Sequence, residues 1–153
     1  MEIHELSIIE LQEGLLEKKF SAKEAVLACL ERIKKYDSEI QAFITLREEE
    51  AIGEAEKADE RIRELGDMAF EKFPLLGIPI AHKDLYLTKG IRTTAGSKLL
   101  ENYTPQYSST IVRRIEEAGA VMVGKLNCDA WAHGSSGENS DFFSTKNPWN
   151  KNY

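Results

Sequence analysis

Two short stretches of this chain carry side chains able to move a proton or attack a carbonyl. In GIPIAHKDLYLTKGIRTTAGS, residues 77–97, Lys83 follows a short apolar run and is flanked by His82 and Asp84. A lysine acts as a general base only when neutral, and burial can depress its pKa by several units. The apolar run in front of it makes such burial possible. Strand alternation would send His82 and Lys83 to opposite faces. Local context alone reads Lys83 as a surface cation at a strand end, with the buried base as the sharper alternative.

The second stretch is GSSG at 134–137, where Gly134 precedes the hydroxyls of Ser135 and Ser136. It is not G-x-S-x-G, so a nucleophile elbow is excluded. The first reading is a flexible turn whose hydroxyls cap nearby backbone. His133, just before it, reads as structural. Cys128 stands beside Asp129 without a local histidine that would activate a thiol. No zinc motif, P-loop or dinucleotide fingerprint occurs, so no cofactor or metal is expected on this chain.

The elements that must position these groups differ between the two halves. Residues 1–72 read as mainly helical. Ser7 with Glu10 and Ser21 with Glu24 are capping boxes, each opening an apolar-periodic segment. The second helix is expected to carry Lys34 and Lys35 in its last turn. QAFITL (41–46) is β-like, and 47–65 reads as an exposed helix with a solvated charge run. Residues 73–153 change character. LLGIPIA reads as a buried strand, Ser108 to Thr110 as N-caps of a helix through Ala118 with Gly119 at C′, and AVMVG as a second buried strand. Asn127 to Trp131 is expected to start another helix. Strand, helix, strand with short links indicates an α/β layer. The tail, 134–153, lacks period yet holds Phe142, Phe143 and Trp149, which suggests ordered structure continuing past Tyr153.

Bulk properties narrow the class. A chain of 153 residues with 42% hydrophobic and 30% charged side chains can build a core. No apolar run reaches the roughly 18 residues of a membrane span, and the N-terminus lacks the basic region of a signal peptide. The net charge of −6 argues against a general nucleic-acid-binding surface. Cys29 and Cys128 fit two reduced, buried thiols in a cytoplasmic protein.

Taken together, GIPIAHKD, TKGIRTTAGS, AGAVMVGKLNCDAWAHGSSGENS and TKNPWN resemble the amidase signature family, within it the A subunits of tRNA-dependent amidotransferases. The resemblance is strong from Gly77 to Asn150 and looser over the N-terminal helices. It implies an α/β/α layered fold with a mixed central sheet, N-terminal helices first, of which 1–153 would be the N-terminal part of one amidase domain. It also implies a Ser-cisSer-Lys triad with Lys83 as its buried base, and a pocket near Gly134, Ser135 and Ser136. The implied substrate is glutamine, and the implied partners are B and C subunits in a heterotrimer. That assembly amidates Glu-tRNA(Gln), or Asp-tRNA(Asn) in some lineages, with ATP and magnesium used by the partner subunit.

Both triad serines and the Gly-Gly-Ser-Ser-Gly-Gly oxyanion loop of the family are absent from these 153 residues. The chain is therefore expected to be truncated and inactive by itself. Leu85 stands where the family often has asparagine, His82 where it is commonly aliphatic, and Trp131, His133 and Gly137 depart from FAMGSSTENS. Two other readings remain: a stand-alone amidase of another small amide, and a truncated, non-catalytic helical binding module.

Overall fold

The computed structural model describes residues 2–152. Helix α1 (Ile8–Leu16) is followed by α2 (Ala22–Ile40), strand β1 (Phe43–Leu46), α3 (Glu48–Leu65), the short α4 (Ala69–Lys72), β2 (Pro79–Lys83), α5 (Thr110–Glu117) and β3 (Val121–Leu126). The three strands form one sheet in the order β1-β3-β2. β1 runs antiparallel to β3, with Thr45 opposite Lys125 and Leu46 opposite Gly124. Ile78 C=O accepts from Val121 N–H at 2.9 Å and Asp84 N–H donates to Leu126 C=O at 2.8 Å. The paired positions advance together, so β2 and β3 are parallel and the sheet is mixed.

Local sequence explains the element starts. Both capping boxes form: Ser7 accepts from Glu10 N–H and Glu10 reaches back to Ser7 N–H at 2.7 Å, and Ser21 N–H donates to Glu24 at 2.8 Å. Asp59 on α3 adds a tertiary cap, accepting from Ala22 N–H at 2.6 Å and Lys23 N–H at 3.1 Å. α5 ends in a Schellman motif, with Gly119 N–H bonded to Glu116 C=O, Ala120 N–H to Ile115 C=O, and Gly119 at φ +91°.

Three expectations are corrected. α2 continues past Lys34 and Lys35 to Ile40. It stops where Gln41 turns left-handed and Asp37 takes the N–H groups of Ala42 and Phe43. β2 starts only at Pro79, because Gly77 at φ +75° breaks LLGIPIA into a turn and a shorter strand. Among the described residues no α-helix follows Asn127: there is one 3-10 turn, Ala130–Ala132, in which Trp131 and Ala132 are left-handed.

The chain divides into two compact units: Met1–Arg32, Arg47–Ile80 and Arg114–Val123, and Ile33–Leu46, Ala81–Arg113 and Gly124–Tyr153. The first has an apolar core of Leu11, Leu15, Val26, Leu30, Leu76, Ile78 and Val121 to Val123, with the alanine stripe Ala51, Ala55, Ala58 sealing α3 against it. The second buries polar groups instead: His82, Asp84, Thr88, Thr93, Thr94, Ser97, Lys125 and Asp129. Buried polar groups require partners, so this unit is held by directed bonds.

Candidate functional site

The chemistry-bearing residues lie in the polar unit, at the C-terminal ends of β2 and β3. Lys83 is the last residue of β2 and is exposed, whereas His82 beside it is buried. The expected alternation is present, but the expected burial of Lys83 is not: its position in the pleat turns it outward. No hydrogen bond or ion pair engages its ammonium among the described residues. His82 Nε2 is buried without a hydrogen-bond partner. Burial pushes its pKa below the ordinary histidine range, and the Lys125 charge pushes the same way.

The buried lysine is Lys125, on β3, which the motifs of the sequence do not single out. Lys125 and Asp84 both have fully buried side chains, with Nζ 3.1 Å from Oδ1. That contact lies off the hydrogen-bonding direction of Oδ1, so it is an ion pair rather than an aligned bond. Lys125 Nζ also donates to Thr93 Oγ1 at 2.8 Å and to Tyr86 C=O at 3.1 Å. Burial pulls its pKa below the usual lysine range and Asp84 opposes the shift. Asp84 Oδ2 accepts from Thr94 N–H at 2.8 Å and Thr94 Oγ1–H at 2.5 Å. The available signal was a lysine inside the apolar run VMVGKL, where a charge needs a partner.

The GSSG segment is fastened by Asp129. Its carboxylate accepts from Gly137 N–H at 3.1 Å and Asn139 N–H at 2.9 Å. These backbone bonds hold its pKa below the usual carboxylate range, and the Lys83 charge assists. Gly134 lies so close that an added Cβ would stand 2.6 Å from Asp129 Cγ. Gly134, Ser135 and Ser136 are exposed. Ser136 Oγ accepts from Glu138 N–H at 3.4 Å, the capping role expected of a turn. Neither hydroxyl bonds Lys83 among the described residues. Cys128 is a free, buried thiol whose pKa burial raises, so it is not poised as a nucleophile.

The segment 94–97 closes the other side. Gly96, at φ +67°, passes so near the 128–130 backbone that a Cβ would meet Cys128 O at 2.3 Å. Trp131 N–H donates to Ala95 C=O at 2.8 Å and Asp141 N–H to Gly96 C=O at 2.9 Å. Among the described residues no cluster of three or more metal-ligand side chains occurs, and no helix is long and apolar enough to cross a membrane.

The amidase family model matches residues 24–153. Over 150 residues the chain is 53% identical to the A subunit of the glutamyl-tRNA(Gln) amidotransferase of Geobacter metallireducens, covering 98% of this chain and 30% of that protein. Among solved structures it superposes on the peptide amidase of Stenotrophomonas maltophilia with TM-score 0.83 at 29% identity, covering 96% of this chain and 31% of that one. On the A subunit of the Thermotoga maritima glutamyl-tRNA(Gln) amidotransferase the TM-score is 0.71 at 35% identity, covering 99% and 29%. The chain thus spans about a third of the length of its relatives, and it belongs to the amidase family.

Proposed function

We propose that this chain is the N-terminal part of a single amidase domain, the glutamine-hydrolysing subunit of a tRNA-dependent amidotransferase. The observation that carries the reading is half-identity to one such protein along almost the whole chain. In this reading Lys83 is the triad base. Neutral, it takes a proton through a bridging serine, so that a second serine can attack the glutamine carboxamide while backbone N–H groups hold the oxyanion. The proton then goes to the departing nitrogen and ammonia leaves. The exposed, unengaged ammonium of Lys83 at a strand end suits a group awaiting a partner. Gly134, Ser135 and Ser136, exposed on a loop clamped by Asp129, would shape the pocket rather than supply the nucleophile.

The ammonia would pass to partner B and C subunits, one of which uses ATP and magnesium to amidate misacylated tRNA in the cytoplasm. The amidase chemistry itself would need no cofactor on this chain. Neither triad serine of the family pattern occurs among these 153 residues, so the chain alone is expected to release no ammonia from glutamine. A second reading, a stand-alone amidase, is favoured by one observation: the peptide amidase superposes more closely, at TM-score 0.83 against 0.71. Ammonia release by the full-length protein separates the two. Stimulation of glutamine hydrolysis by B and C subunits with charged tRNA supports the amidotransferase. Unstimulated release from other amides, with glutamine inert, supports the alternative.

A further inference from the structure

We propose that Lys125 and Asp84, braced by Thr93 and Thr94, form a positioning device that locks the turn after β2 and so fixes the backbone from which Lys83 projects. This inference rests on Lys83 being the proton acceptor. Lys125 Nζ donates to Thr93 Oγ1 at 2.8 Å and to Tyr86 C=O at 3.1 Å, and pairs with the Asp84 carboxylate at 3.1 Å. Lys125 is therefore engaged within the fold while Lys83 is not, so in the proposed reading burial alone would mark the wrong lysine as the base.

The bonds close a ring around Lys83. Its carbonyl accepts from Tyr86 N–H at 3.0 Å, and the Tyr86 carbonyl accepts from Lys125. Lys125 reaches Asp84, the residue that follows Lys83. Asp84 is pinned on every side: N–H to Leu126 C=O at 2.8 Å, C=O from Ala95 N–H at 3.1 Å, and Oδ2 from both donors of Thr94. Hydrophobic residues of similar volume hold a core at least as well as a buried ion pair. Stability is thus a weak reason for sealing a lysine here, and a directional clamp next to Lys83 is a stronger one.

The test uses the full-length protein in complex with its partners. Asp84→Asn combined with Lys125→Met removes both charges without stranding either, and Lys83→Ala is run in parallel. Misplacing a reacting group by about 1 Å costs on the order of 100-fold. The double variant is expected to lower kcat for glutamine about 10- to 100-fold, with KM within about twofold and ammonia-dependent product formation retained. A lowered Tm with kcat within about twofold of wild type shows a merely structural pair and overturns the proposal. Should the double variant not fold, Thr93→Val against Thr93→Ser decides: a kcat loss in the first and recovery in the second supports it, and equal kcat overturns it. Full glutamine hydrolysis by Lys83→Ala would instead sink the underlying reading.

Discussion

At the residue scale the two lysines divide the work that one might have been asked to do. Lys83 faces outward with its ammonium unengaged, while Lys125 is enclosed with three acceptors. The difference follows from strand alternation and from where each strand lies. Lys83 ends β2 on the face opposite the buried His82, while β3 is the central strand and is buried through Lys125. Removing one member of a buried pair leaves the other charge without compensation, which costs about 3–5 kcal/mol. Lys125→Met alone should therefore lower the unfolding free energy by about that much in urea titration, whereas Lys83→Met should change it by less than about 0.5 kcal/mol. Equal effects of the two substitutions would contradict the assignment of Lys125 as the enclosed partner of Asp84.

At the scale of elements, what repeats was legible and what closes on itself was not. Both capping boxes, the α5–Gly119 stop and the buried β3 could be read from local pattern, because each depends on residues within about four positions. The end of α2 could not, since Lys34 and Lys35 look like a C-terminal turn while the stop is set by the left-handed Gln41 and the Asp37 carboxylate. The segment after Asn127 failed for a related reason. Its helical signal is overruled by long-range bonds, including Asn127 Nδ2 to Phe143 C=O at 2.8 Å and the Asp129 clamp. Asp129→Ala should free the 134–139 loop, and the amides of Gly137 and Asn139 should then exchange about tenfold faster by NMR at neutral pH. Unchanged protection at both amides would show that something other than Asp129 holds the loop.

At the scale of the molecule, stability and chemistry draw on different halves of the composition. One unit is sealed by aliphatic and alanine side chains, and the other by buried polar groups whose bonds run between segments distant in sequence. The resemblance to amidases was readable because most of its motif residues, including Lys83, Asp84, Thr93, Thr94, Lys125 and Asp129, fall in the polar unit, where side-chain identity fixes geometry. Lys83 was singled out there from the motif, whereas Lys125 carried only the weaker signal of a charge inside an apolar run, and its partners Asp84, Thr93 and Tyr86 needed the fold. The aromatic Trp149 is 92% exposed, while Phe142 and Phe143 are partly buried.

The measurement to make first is a comparison of Lys83→Ala with wild type in the full-length protein bound to the proposed B and C subunits, supplying either glutamine or free ammonia as nitrogen donor. A triad base contributes through proton transfer and nucleophile activation together, so glutamine hydrolysis should fall by at least about 1,000-fold. Amidation from ammonia should stay within about threefold, because it bypasses the amidase step. Glutamine hydrolysis persisting near the wild-type rate would contradict the assignment of Lys83 as the base.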